Sequence, residues 1–325
     1  MADADQLARR WGKELAVDLY QRYAQDIRHL QTFNRLIPTI GKSYQGEERR
    51  LLYLLTLSLS PDLIVELSPK RGWSTLHMAA ALEHNRRGRI VSFELDPVYA
   101  RLTRRTLERE RLAHRAAVVV GDVREEFPKV YDRLKTSEGI SGIEFLFIDS
   151  DHSAEFARWY LANLFPLVKQ NGVIHVHDVQ TSPERVVAGE RIFPPPSGEE
   201  RVLAEHLLQR RDRFRWFSVA ELVRDSEYLA TVQKYGGGDL SFPSTSVRLH
   251  PINAAIGFER NPSLWLLKLG AQETTVYPDR PFEPLKRTLA EAIVYGARKR
   301  IAFFYAPLRE ARRSLKQKAR RGVTP

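Results

Sequence analysis

One stretch, Leu63 to Asp96, sets what this chain can fold into. It reads LIVELSPKRGWSTLHMAAALEHNRRGRIVSFELD. Leu63–Leu67 is a short apolar run with β-branched residues, and Ser68–Gly72 breaks it. Trp73–Glu83 then places Leu76, Ala79, Ala80 and Leu82 at helical spacing, and Arg89–Leu95 is a second apolar run that holds Glu94. A strand, a tight turn, a helix and a parallel strand make a βαβ unit. The turn leaves the carboxyl end of the first strand, where open α/β sheets bind ligands. Gly72 lets the backbone come close to a ligand, while Ser74 and Thr75 can cap the helix. Glu94 lies about 20 residues beyond the turn, the separation that sets a carboxylate on a ribose diol.

The flanking segments extend this unit. Between Gln6 and Phe33, apolar residues at Leu7, Trp11, Leu15, Leu19, Tyr23, Ile27 and Leu30 predict one long amphipathic helix. Ile37–Gly46 breaks it, and Glu47–Ser60 forms a second helix that stops at Pro61. Both are expected to cover a sheet edge or the mouth of the site. Beyond Asp96 comes a charged helix, Val98–Leu112, opened by Pro97. Ala116–Val120 is a third strand and Glu125–Leu134 a short helix. Ile143–Ile148 is a fourth strand ending at Asp149-Ser150-Asp151-His152, followed by a helix over Ser153–Val168. Asn171-Gly172 is read as a turn, and Val173–Val176 as a fifth strand ending at His177-Asp178. This alternation predicts a doubly wound, Rossmann-like α/β sheet of seven strands, mostly parallel.

After Asp178 the alternation weakens. Gln180–Gly198, with Pro183, Pro194, Pro195 and Pro196, reads as a long ordered loop or lid. Glu199–Arg211 is a helix, Phe214–Val219 a sixth strand, Ala220–Ala230 a further helix, and Ser263–Leu269 a seventh strand after a polar loop. The last two strands are expected to pair antiparallel at an edge. The expected layout is a helical cap over 1–60, a ligand-binding core over 61–270 and a tail over 271–325.

Composition narrows the function classes. With 325 residues, 43% of them hydrophobic, the chain can bury a large α/β core. It has no cysteine, which excludes disulfides, thiolate catalysis and zinc–thiolate sites. The start, MADADQLARRWGKEL, has no apolar signal core, and no apolar run approaches the roughly 20 residues of a membrane span. A soluble, cytoplasmic protein is expected. The net charge of +11 is concentrated: Arg280–Pro325 carries 13 Lys and Arg against Glu283, Glu291 and Glu310. The main body is close to neutral, which argues against nucleic acid as the substrate. Within Pro284–Arg321, Leu285, Leu289, Ile293, Ala297, Ile301 and Phe304 recur beside Lys and Arg. Such a basic amphipathic tail suits an anionic membrane face, where each cation adds about 1 kcal/mol. It equally suits a docking or oligomerising helix, which would make the protein a homo-oligomer, and phosphate contact is the third reading.

The chemistry-bearing residues gather at predicted strand tips. Asp149, Asp151, His152, His177 and Asp178 lie at the ends of two neighbouring strands and can offer oxygen and imidazole ligands to a divalent ion. Asp122 after Gly121 is a favoured helix N-cap as well as a ligand candidate. His175 is expected on the face opposite His177, in a structural role. Ser68 and Lys70 stand where a pyrophosphate-binding loop needs glycine, which argues against a dinucleotide.

Four segments in order, VELSPKRGWST, IVSFELDP, VVVGDV, and FIDSDH followed by GVIHVHDV, carry a family resemblance. Over about Glu47 to Leu269 the chain resembles class I S-adenosylmethionine-dependent methyltransferases. Among them it looks most like the metal-dependent O-methyltransferases: the catechol O-methyltransferase-like group and the macrocin O-methyltransferase and cephalosporin hydroxylase-like relatives. The resemblance implies that Glu66, Ser68, Gly72, Ser74 and Thr75 hold the methionine end of the cofactor. It implies Glu94 on the ribose, Asp122 and Val123 on the adenine, and Asp149 beside the methyl group. Asp149, His177 and Asp178 would ligate Mg²⁺ or Mn²⁺, the imidazole favouring Mn²⁺. His152, three residues past Asp149, would be the general base. The acceptor would be a hydroxyl of a small molecule, such as a sugar, a glycolipid or a natural product. Ser68 departs from the family, which has glycine there; a positive φ costs serine about 1 kcal/mol. That departure and the tail support a second reading, a binding protein with this fold that has lost turnover and attaches to membrane or RNA.

Overall fold

The computed structural model describes residues 4–27, 46–179, 181–189, 198–222, 224–235 and 263–271. Its strands are β1 (Leu63–Leu67), β2 (Arg89–Glu94), β3 (Ala116–Val120), β4 (Ile143–Ile148), β5 (Val168–His177), β6 (Phe214–Ser218) and β7 (Ser263–Lys268). Its helices are α1 (Ala4–Arg10), α2 (Lys13–Arg22), α3 (Gly46–Leu59), α4 (Trp73–Asn85), α5 (Pro97–Arg109) and α6 (Val123–Glu138). They continue with α7 (Ala154–Asn163), α8 (Pro183–Val187), α9 (Gly198–Leu208), α10 (Val219–Leu222) and α11 (Ser226–Tyr235).

The seven strands form one sheet in the order β3-β2-β1-β4-β5-β7-β6. β1 lies third in it, parallel to β2 with Val65 opposite Val91, and parallel to β4 with Val65 opposite Leu146. Every residue of β1 is buried, because helices cover both faces and alternate side chains feed two cores. Ile64, Ile90, Phe145, Phe147 and Trp265 face α2, α3 and α4. Val65, Val91, Leu146, Ile174 and Leu266 face α6, α7 and α9. The expected antiparallel edge pair is present. β7 runs antiparallel to both β5 and β6, with Trp265 opposite His175 on one side and Phe217 on the other.

Five local expectations change. The long N-terminal helix is broken at Gly12, whose φ of 125° a helix cannot hold, and again at Tyr23. The first break turns Trp11 inward, where its ring meets Phe217 at 5.5 Å and its indole N–H donates to Trp265 O at 3.4 Å. Asn171-Gly172 is a bulge inside β5 rather than a turn before it. Asn171 takes φ 62°, and the β4–β5 register slips between Ile143 and Phe145. The helix expected over Ser153–Val168 stops at Asn163, and a 3₁₀ turn, Phe165–Leu167, contains Pro166, which cannot continue it. The helix expected over Ala220–Ala230 is two: Asp225 accepts from Glu227 N and Tyr228 N at 3.0 Å and starts α11 afresh. In the expected 180–198 loop, Pro183–Val187 is helical. The polar loop over 236–261, residues 190–197 and the tail from 272 onward lie outside the described residues. Among the described residues no helix is long and apolar enough to cross a membrane.

Trp265 joins the sheet to its cover. It is fully buried, stacks on Phe217 at 6.3 Å and touches Phe145 at 5.9 Å and His175 at 4.3 Å. Truncating a buried tryptophan leaves a cavity that its neighbours fill only in part. Trp265→Ala is expected to lower unfolding free energy by about 3–5 kcal/mol, read by urea denaturation.

Candidate active site

The turn after β1 is built on left-handed residues. Ser68, Lys70 and Gly72 take φ of 61°, 51° and 78°. Only Gly72 is sterically obliged to be glycine: a Cβ there would lie 2.9 Å from Thr103 Cγ2 and 3.2 Å from Thr103 Cα. Ser68 adopts the positive φ foreseen for it, and its N–H donates to Phe93 O at 2.8 Å. Beneath the turn, fully buried Glu66 accepts from Ser74 Oγ at 2.5 Å, Thr75 Oγ1 at 2.7 Å and Ser92 Oγ at 2.5 Å. One carboxylate thus ties β1, α4 and β2 together. Burial pushes the Glu66 carboxyl up to about 7, against the pull of the three hydroxyls.

Two further carboxylates stand along the same edge. Glu94 at the tip of β2 accepts from Lys70 N and Asp96 N, both at 2.9 Å, so the turn folds onto it. Thr103 Oγ1 holds the other side of the turn by donating to Lys70 O at 2.9 Å. Asp122 at the tip of β3 caps α6 by accepting from Arg124 N at 2.9 Å, and it also pairs with the Arg124 guanidinium at 2.5 Å. Val123 opens the helix behind it. The structure therefore brings Glu66, Ser68, Gly72, Ser74, Thr75, Glu94, Asp122 and Val123 to one carboxyl edge of the sheet.

A second cluster lies at the tips of β4 and β5. Asp149 N–H donates to Leu67 O at 3.4 Å, which sets its carboxylate beside the end of β1. Asp178 takes φ 61°, uncommon away from glycine, and aims its carboxylate back at two imidazoles. His177, 1% exposed, has Nδ1 3.4 Å from Asp149 Oδ1 and 3.2 Å from Asp178 Oδ1; its Nε2 is 3.3 Å from Glu48 Oε2 of α3. His152 has Nε2 3.4 Å from Asp178 Oδ2, while its Nδ1–H donates to Glu199 Oε2 of α9 at 2.6 Å. Ligand atoms of Asp149, His152 and Asp178 all lie within 4.8 Å of one another. His152 thus stands in this convergent trio, while His177, expected from the sequence as the imidazole ligand, lies between the aspartates and Glu48. Two carboxylates and an imidazole suit a divalent ion. Asp178 Oδ1 is buried and makes no well-aligned hydrogen bond among the described residues, as an oxygen waiting on a cation would.

The charges answer one another. Burial works to raise the Asp149 carboxyl, but the His177 charge and hydrogen bond bring it down to about 2. Burial works to lower the His152 imidazole, and Asp178 and Glu199 together push it up to about 10. Asp149 is the main cause holding His177 well above the ordinary histidine range against its burial. Burial raises the carboxyls of both Glu48 and Glu199.

His175 does not lie on the opposite face from His177. Residues two apart on a strand share a face, and the two rings stand 6.0 Å apart. Its expected structural role fits its surroundings, stacked on Phe147 at 4.5 Å and edge-on to Trp265. Glu48, Glu199 and Ser92 escaped the sequence reading. Glu48 and Glu199 each belong to a Glu-Glu pair at a helix start, which looks like ordinary favourable charge at the positive end of a dipole.

The Glu66 clamp gives a stability signature. A carboxyl raised in the fold stabilises below its unfolded pKa, and that contribution is lost as pH rises through the folded value. Between about pH 4.5 and about 7, Glu66→Gln should gain on the native protein by up to roughly 3 kcal/mol, measured as the pH-dependent difference between their denaturation curves.

Residues 65–179 match a family model described as a methyltransferase domain. A catechol O-methyltransferase of Niastella koreensis is 28% identical over 173 residues, covering 51% of this chain and 75% of that protein. A catechol O-methyltransferase of Mycobacterium tuberculosis is 25% identical over 173 residues, covering 53% and 69%. Among solved structures, the O-methyltransferase TomG of Streptomyces achromogenes, in complex with S-adenosylmethionine, aligns at 17% identity and a TM-score of 0.47 over 78% of this chain and 90% of its own. Residues 65–179 thus match a methyltransferase domain, and over about half its length the chain is similar to S-adenosylmethionine-dependent O-methyltransferases of the catechol type.

Proposed function

We propose that this enzyme methylates a hydroxyl of a small molecule, such as a sugar, a glycolipid or another natural product, with a divalent ion at the tips of β4 and β5. The convergence of Asp149, His152 and Asp178 beside the turn at Gly72 carries this reading. In it the cofactor lies over that turn, with Glu94 on its ribose and Asp122 and Val123 near its adenine. Asp149 and Asp178 hold the ion, and His177 completes the set through Nδ1. The bound ion would acidify the acceptor hydroxyl and orient its oxygen.

The protein's own groups then have defined tasks. In-line approach of the oxygen to the methyl carbon at about 3 Å is a positioning problem, which two strand tips on one rigid sheet answer. His152 Nε2 faces Asp178 and is placed to take the hydroxyl proton. Asp178 is one of the two groups that raise the His152 imidazole, and an ion held by Asp178 would weaken that pull and leave Nε2 as an acceptor. Glu199 keeps the other nitrogen as a donor throughout. The helical cap over 1–60 and the tail over 271–325 complete the proposed layout, with the basic segment 284–321 resting on an anionic membrane face.

Transfer of a labelled methyl group from S-adenosylmethionine to a panel of catechols, glycosides and glycolipids tests the reaction. His152→Ala and Asp178→Ala should each lower turnover by about 10²-fold or more while cofactor affinity by calorimetry stays near that of the native protein. Unchanged turnover in both variants rejects the assignment, and a native protein that binds no S-adenosylmethionine leaves the binding-protein reading. Vesicles of phosphatidylserine and phosphatidylcholine should float with the full chain and not with one ending at Pro281; equal flotation removes the membrane contact.

A further inference from the structure

Both site histidines have a buried glutamate behind them, and both glutamates lie outside the segment that matches the methyltransferase family, residues 65–179. Glu48 comes from α3, before the first strand, and is fully buried. Glu199 comes from the first turn of α9, after the fifth strand, and is 1% exposed. Each faces the ring nitrogen that points away from the crevice: Nε2 of His177 in one case, at 3.3 Å, and Nδ1 of His152 in the other, at 2.6 Å. The nitrogens left over, Nδ1 of His177 and Nε2 of His152, both face Asp178, at 3.2 and 3.4 Å. A buried carboxylate opposite one nitrogen keeps a proton there, and so leaves the lone pair of the neutral ring on the other.

We infer that Glu48 and Glu199 are positioning residues that set the two imidazoles in opposite tautomers, His177 as a metal ligand through Nδ1 and His152 as a proton acceptor through Nε2. The inference rests on the metal-assisted reading above and divides the work between the two rings. Each glutamate has a hydroxyl for a neighbour: Ser263, at the start of β7, acts to lower the Glu48 carboxyl, and Tyr160 of α7 acts to lower that of Glu199, both against the effect of burial. Glu199 also donates its backbone N–H to His152 O at 3.2 Å, so α9 fixes both ends of that residue. His177 has no room to turn, being buried between Glu48 on one side and Asp149 and Asp178 on the other. Its Nδ1 would therefore serve as the ligand nitrogen, while the half-exposed His152 would be left free to take the acceptor's proton.

Pulsed electron paramagnetic resonance of the Mn²⁺-loaded enzyme separates the roles without turnover. The ¹⁴N coupling of a bound imidazole should vanish in His177→Gln and persist in His152→Gln; the reverse result overturns the assignment. Glu48→Met should weaken Mn²⁺ by about 10- to 100-fold, as loss of a carboxylate behind a ligating histidine does. Glu199→Met should leave Mn²⁺ affinity within about twofold and lower kcat by about 10²-fold with little change in KM, the scale of losing an oriented general base. Glu199→Gln, which keeps an acceptor for Nδ1–H, should recover part of that loss. Binding of S-adenosylhomocysteine verifies that each variant is folded. If the native enzyme transfers methyl groups and both Met variants match it in Mn²⁺ affinity and kcat, the positioning role is wrong and the proposed function stands. If the native protein transfers nothing, the proposed function fails on its own account, and the Mn²⁺ spectra still decide which ring binds the ion.

Discussion

Helices cover both faces of the central parallel strands, and that constraint decides where chemistry can happen. With β1 buried throughout and Phe145, Leu146, Ile174 and Leu266 packed on either side, the body of the sheet is dry. A polar group inside it costs a few kcal/mol unless bonded. The strand tips escape this, because each strand releases its chain into a turn where backbone donors are spare and side chains can fan outward. Glu66, Glu94, Asp122, Asp149 and His177-Asp178 sit at or beside the tips of five successive strands for this reason. The fold gathers them from residues more than 100 apart in sequence, and no local signal would bring them together.

What happens at the tips is governed by the low dielectric around them. Four carboxylates, Glu48, Asp149, Asp178 and Glu199, surround two imidazoles, and most of these groups are shielded from water. Charges so placed must neutralise one another or give up their ionisation. The neighbouring carboxylates raise both imidazoles against the effect of their burial, which is the first of these. In the proposed metal-assisted reading a divalent ion would answer the same carboxylates. The electrostatics that raise His152 and His177 would suit a cation as well, and the two effects would share one cause.

The sheet was legible because its strands are dense, separate apolar runs, and their alternation with amphipathic helices left little choice of topology. Strand tips could be read from the last apolar residue, so Asp149, His152, His177 and Asp178 were found from Ile148 and Val176. Three kinds of feature were not legible. Gly12 ends a helix whose apolar spacing continues on both sides, and only the docking of Trp11 on Trp265 explains the break. Asn171-Gly172 has the composition of a turn and serves as a bulge, because β4 supplies pairing partners before and after it. Glu48 and Glu199 sit in charged helix starts that any exposed helix would carry. Their burial against histidines is a tertiary fact.

Ser68 shows how a family departure can be absorbed locally. A glycine would take φ 61° at little cost, whereas serine pays about 1 kcal/mol for it. Several bonds made by the turn itself offset that strain. Ser68 N–H bonds to Phe93 O, Lys70 N–H bonds to Glu94, and Thr103 bonds to Lys70 O, so β2 and α5 hold the turn from both sides. These bonds do not close the site. A carboxylate has about four lone-pair positions, and Lys70 and Asp96 occupy two of those on Glu94. One carboxylate can thus brace the turn and still accept from a ribose hydroxyl. These bonds hold the turn in one shape without glycine's freedom, and a preformed turn has less conformational entropy left to lose when a ligand arrives.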